Sequence, residues 1–124
     1  MKNSFRLLSV TSLLFFLLPL QSSYAGSPYG VWVRNNGVHI KVYKCKDGLG
    51  MTIVKATKKE NTGRNIMCGA KKTSSGKWDG KILNVADNRT YKGTVTINRN
   101  ILTLEGCVFG GLICKTDKWK RLKE

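Results

Sequence analysis

Apolar and polar residues alternate with a period of two in several stretches of the chain. Val38, Ile40 and Val42 interleave with His39, Lys41 and Tyr43, the pattern of a strand with one buried face. Trp78, Gly80 and Ile82 alternate with Lys77, Asp79 and Lys81, and Tyr91, Gly93, Val95 and Ile97 alternate with Lys92, Thr94, Thr96 and Asn98. Turn signals separate these stretches at Asn35-Asn36-Gly37, Lys46-Asp47-Gly48, Ser74-Ser75-Gly76, Asp87-Asn88-Arg89 and Asn98-Arg99-Asn100. Short strands at fairly regular intervals predict an antiparallel meander. Within Val108–Ile113, Gly110-Gly111 predicts a two-residue hairpin turn, because such turns need positive φ. No helical period follows residue 25, and the polar stretch Lys55–Asn65 reads as a loop.

The first 25 residues obey a different logic. Lys2 and Arg6 precede the apolar run Leu7–Leu20, and Ser23-Tyr24-Ala25 places small side chains where signal peptidase needs them. The run is shorter than the ~20 residues that span a bilayer. A signal peptide cleaved after Ala25 is therefore expected, with one domain over residues 26–124 and a periplasmic or secreted destination. No other stretch is apolar enough to span, and no cysteine follows the cleavage point to take a lipid anchor. The remaining 99 residues hold one modest core, which excludes a two-domain enzyme with an interdomain cleft.

All four cysteines, Cys45, Cys68, Cys107 and Cys114, fall in the exported part, where oxidation to two disulfides is expected. Spacing alone permits three connectivities. The Gly110-Gly111 hairpin would set Cys107 opposite Cys114, which leaves Cys45 for Cys68. A zinc site would need a closer cysteine pair or more histidines than His39, so neither a metal nor another cofactor is expected.

The chain carries 22 Lys and Arg against 7 Asp and Glu, and loss of Lys2 and Arg6 with the signal takes the net charge from +15 to +13. Alternation puts the lysines on the outer face of a sheet with an apolar interior. A field of this strength draws anionic partners. The densest run, Lys115, Lys118 and Lys120, is the candidate anion-binding stretch. Catalytic residues are not evident. His39 sits at an outward position between Val38 and Ile40, the acidic residues are scattered, and Asp47 and Asp87 suit turn initiation. Asn88-Arg89-Thr90 fits the glycosylation pattern, which has meaning only in a eukaryotic secretory pathway.

The segment Gly106-Cys107-Val108-Phe109-Gly110-Gly111-Leu112-Ile113-Cys114-Lys115-Thr116-Asp117-Lys118-Trp119-Lys120-Arg121 resembles the closing signature of the bacterial family called domain of unknown function 2147. Gly30-Val31-Trp32, Cys45-Lys46-Asp47-Gly48-Leu49, Ile53-Val54, Trp78 with Gly80, Tyr91, and Leu102 with Leu104 fall in that family's order. The resemblance covers residues 29 to 122 and implies an exported, lipocalin-like antiparallel barrel with no assigned activity. That family usually carries a second cysteine shortly after the first; here Gly50 stands there and Cys68 lies downstream, in keeping with a relocated Cys45–Cys68 bridge. The family's polar loop is also shortened, to roughly Lys55–Arg64.

The lipocalin comparison further implies a structural closure, in which Gly30 and Trp32 begin the first strand and Arg121 lies across the indole. Trp78, Tyr91 and Trp119 are the candidate lining of a ligand site, with core packing as their alternative role. The leading expectation is a disulfide-stapled barrel holding a small apolar or amphipathic molecule in its mouth. The alternative is electrostatic binding of an anionic polymer or envelope surface.

Overall fold

The computed structural model describes residues 26–123, and the expected signal segment, Met1–Ala25, lies outside them. Eight strands follow in chain order: β1 (Gly30–Val33), β2 (His39–Cys45), β3 (Gly48–Lys55), β4 (Asn65–Ser74), β5 (Lys77–Asn84), β6 (Arg89–Asn98), β7 (Ile101–Val108) and β8 (Ile113–Lys123). Each pairs antiparallel with the next, and β1 pairs with β8, so the sheet closes into a barrel. Closure removes the exposed edges that an open meander would present to other chains. Among the described residues there is no α-helix, only single 3-10 turns at Lys59–Asn61 and Phe109–Gly111.

Because every connection is a hairpin, the loops collect at two ends. One end holds the turns after β2, β4 and β6 together with residues 26–29 and the end of β8. The other, the mouth, holds the loops after β1, β3, β5 and β7. The interior is filled by the alternating apolar positions, the largest fully buried side chains being Trp32, Trp119, Ile40, Leu49, Met51 and Leu102. Each large side chain so buried stabilises the fold by roughly 1.5–3 kcal/mol. Glycine appears where chains crowd: a Cβ at Gly80 would stand 2.7 Å from the Cβ of Ala70, so the glycine lets β4 press against β5.

The two disulfides are Cys45–Cys68 and Cys107–Cys114. The second joins directly paired residues of β7 and β8. The first links β2 to β4 past β3, and its path depends on Gly50, where a Cβ would lie 2.4 Å from the Cβ of Cys45. The position that in the family usually carries a cysteine is thus space that this bridge occupies.

The turn between β7 and β8 differs from the sequence expectation. Pairing ends at Val108 with Ile113, so four residues, Phe109 to Leu112, form the connection in place of a two-residue Gly-Gly turn. Phe109 itself takes positive φ (54°) ahead of Gly110 and Gly111, and the Leu112 N–H donates to the Phe109 carbonyl at 3.2 Å. With its left-handed start one residue earlier, the turn lifts Phe109 and Leu112 out of the ladder.

Candidate functional site

At the closed end, Trp32 is completely buried and stands in register with Arg121. The Arg121 Cζ lies 4.3 Å from the indole centroid. The Trp32 Nε1–H donates to the Pro28 carbonyl at 2.9 Å. Arg121 donates from Nη2 to the Ser27 carbonyl at 2.6 Å, from Nη1 to the Tyr29 carbonyl at 3.0 Å and from Nε to Asn100 Oδ1 at 3.1 Å. One guanidinium therefore ties the segment before β1 and the β6–β7 turn over the floor of the barrel. Gly30, at φ 127°, turns the chain from that segment into β1 in a conformation that favours glycine.

Toward the mouth, β8 turns Asp117 and Trp119 to the interior. Asp117 Oδ2 accepts from Arg34 Nε and from Trp119 Nε1, both at 2.8 Å, so the buried indole N–H is satisfied. Tyr91 is half-buried, and its hydroxyl donates to the Asp87 carboxylate, which also accepts from the Arg89 N–H. The Tyr91 hydrogen bond holds the Asp87 carboxyl below its ordinary pKa and pushes the Tyr91 phenol above its own. The Asp87 contribution to stability is accordingly present above the ordinary carboxyl pKa and lost as pH falls; the Tyr91 contribution is present below the ordinary phenol pKa and lost as pH rises.

The candidate ligand residues separate. Trp78 and Trp119 are buried in the packed interior, and only Tyr91 reaches the mouth. Beside it Gly106 leaves room: a Cβ there would meet nothing within 4 Å except the Tyr91 Cβ at 3.8 Å. The candidate lysines separate as well. In the unbroken β7–β8 register Lys115 opposes Gly106 on the inner face at the mouth, whereas Lys118 and Lys120 fall on the outer face. Period-two geometry splits neighbours in sequence, so Lys115, Lys118 and Lys120 do not form one patch. His39 is half-buried, with Val33 and Lys55 as its cross-strand partners. Glu105 lies close to the sulfurs of Cys107 and Cys114, but both sulfurs are held in their bridge and offer no thiolate to a metal.

The outer surface carries a feature that sequence order concealed. Five neighbouring strands, β8, β1, β2, β3 and β4, contain one carboxylate, Asp117, which faces inward and pairs with Arg34. The charged side chains at their outer positions are basic, interspersed with Val31, Tyr43 and Val54. An open groove of about 670 Å³ crosses this face, with Tyr29, Val31, Tyr43 and Val54 against Lys41 and Lys123, and Lys44, opposite Leu49 at the end of β2, borders it. Among the described residues Arg34–Asp117 is the sole ion pair, so these lysines have no carboxylate partner. The signal available in the sequence was the absence of Asp and Glu from residues 30–46 and 48–55, whose joining to β8 depends on closure of the sheet.

Together the floor, the bridges and the strand order define a small, disulfide-stapled, eight-stranded antiparallel barrel sealed at one end by a tryptophan–arginine stack. The chain belongs to the family described as uncharacterized protein conserved in bacteria (DUF2147), whose sequence profile matches residues 30–121. Neither the curated proteins nor the solved structures contain a match to it.

Proposed function

We propose that the protein is an exported, non-catalytic binding protein that engages an anionic polymer or anionic envelope surface through the outer face of β8, β1, β2 and β3. The supporting observation is the segregation of charge. Among the described residues carboxylates are missing from that face, while an open groove offers aromatic and aliphatic surface between Lys41, Lys44 and Lys123. Lysine ammonium groups attract a polyanion without demanding one bonding geometry, and Tyr29 and Tyr43 supply contact area that plain charge would not. A packed interior supports surface binding over a ligand held deep in the barrel.

The test is a salt series with dextran sulfate as the probe, comparing Lys41→Gln/Lys44→Gln with Lys58→Gln/Lys59→Gln. Both double variants lose two charges. The groove pair is expected to lose about tenfold in affinity at low salt, and the loop pair clearly less. Equal losses with equal salt slopes would reduce the effect to bulk charge and sink the site.

Export carries its own test. Intact mass of the protein recovered from the envelope fraction should correspond to a chain beginning at Gly26 and lighter by four hydrogens than its reduced form, one pair for each bridge. A retained leader, or free thiols in that fraction, would refute it.

A second reading, a small apolar or amphipathic molecule in the mouth, draws on the space above Gly106 beside Tyr91. Binding there would persist in high salt and respond to Gly106→Val, which fills that space, while groove binding would collapse with salt and ignore the substitution.

A further inference from the structure

The most exposed large apolar side chains of the described residues lie together on the tip of the β7–β8 hairpin. Leu112 is 86% exposed, Phe109 74% and Ile113 54%. Solitary exposed apolar residues are ordinary, but three at one projecting tip, at the opposite end of the barrel from the sealed floor, are not. The backbone holds them there at a cost. Phe109 sits at φ 54°, a conformation that bulky L-residues rarely adopt, and Gly110 and Gly111 continue at 66° and 95°. The Cys107–Cys114 bridge clamps the base of the tip, so little freedom remains to be lost when the tip is buried.

The surroundings indicate what covers it. Lys115 follows the bridge on β8, and Lys92 stands opposite Cys107 on β6. Glu105 stands beside the bridge sulfurs, and the other loops at the same end carry Lys58, Lys59 and Arg64 with Glu60 and Asp87, so with Arg34 paired to Asp117 the balance stays positive. An apolar point within a ring of net positive charge is complementary to a surface that is anionic outside and apolar just beneath.

We propose that this hairpin tip inserts Phe109 and Leu112 into the outer layer of an anionic phospholipid bilayer, with the basic rim of the barrel mouth resting on the headgroups. The tip stands at the mouth end of β8, whereas Lys123, the residue of β8 that lines the groove, stands at the opposite end of that strand, so the proposal stands whether or not the groove takes a polymer.

The test uses naturally processed protein and vesicles of equal parts phosphatidylglycerol and phosphatidylcholine, with pure phosphatidylcholine vesicles as the comparison. The protein is expected to partition onto the anionic vesicles. Phe109→Ser/Leu112→Ser is expected to lower that partitioning about tenfold or more while leaving dextran sulfate affinity within about twofold. Both residues lie outside the strand ladder, so the barrel is retained. In Phe109→Trp, brominated phospholipid should quench emission beyond any quenching of the wild type, whose Trp32, Trp78 and Trp119 are buried. Wild-type partitioning by the double serine variant, or no added quenching in Phe109→Trp, overturns the insertion. A wild type that binds dextran sulfate but no vesicle overturns the tip proposal and leaves the polymer reading intact. Concentration-dependent self-association that the serine variant abolishes, with vesicle binding unchanged, assigns the tip to a second copy of the chain and overturns it too.

Discussion

Trp32→Ala is expected to lower the unfolding free energy by about 3–5 kcal/mol, the range for emptying a fully buried aromatic site. Stabilities of small domains run to about 5–15 kcal/mol, so this single change would consume much of the margin. Arg121→Ala should cost about 2–3 kcal/mol, because the guanidinium covers the indole and donates to the Ser27 and Tyr29 carbonyls and to Asn100. The two losses should not add. Either substitution breaks the same stack, so the double variant should fall short of the sum by about 1 kcal/mol or more, in the range of a partly desolvated cation–π contact. Urea melts of the four proteins measure this directly. Strict additivity would mean that the contact carries no energy of its own, and the seal would then reside in the carbonyl bonds alone.

Removing the Cys45–Cys68 bridge as Cys45→Ser/Cys68→Ser is expected to destabilise by about 3 kcal/mol, and removing Cys107–Cys114 in the same way by about 2 kcal/mol. Chain entropy orders them so, since the bridged cysteines are separated by 23 residues in one case and 7 in the other. Topology widens the gap. Cys107 and Cys114 already face each other across a hydrogen-bonded pair of strands, whereas Cys45 and Cys68 belong to strands that do not pair with each other. Thermal unfolding of each double serine variant should therefore show the larger drop in midpoint for the Cys45–Cys68 loss. The reverse order would indicate that the ladder around Gly50 holds β2, β3 and β4 together without help.

What could be read from the chain depended on where each strand's inner positions are apolar. β2, β5 and β6 place Ile40 and Val42, Trp78 and Ile82, and Val95 and Ile97 inside, and their period of two is plain. β8 has the same alternation hidden, because its inner positions include Lys115, Asp117 and Arg121, with Trp119 the one buried apolar residue among them. β4 is irregular for another reason: register shifts where it meets β3 and β5 place Ile66 and Met67 inside in succession. Of the candidate site residues, Trp32 and Arg121 form one contact, while Trp78 and Trp119 serve the interior and Lys115 parts from Lys118 and Lys120.

Local sequence encoded the all-β character, the strands β2, β5 and β6, the pairing of Cys107 with Cys114 and the excess of positive charge, because each follows from near neighbours along the chain. Alternation, turn residues and composition are local properties. Tertiary structure decided the rest. Only closure of β1 on β8 joins the carboxylate-free strands into one basic face. Only the stacking of β2, β3 and β4 brings Cys45 past Gly50 to Cys68. The conformation of Phe109 was likewise decided by the ladder: pairing stops at Val108 and Ile113, and four residues must then bridge a gap that the glycine pair alone was expected to span. In each case the deciding contact joins residues whose separation in sequence carries no signal of their nearness in space.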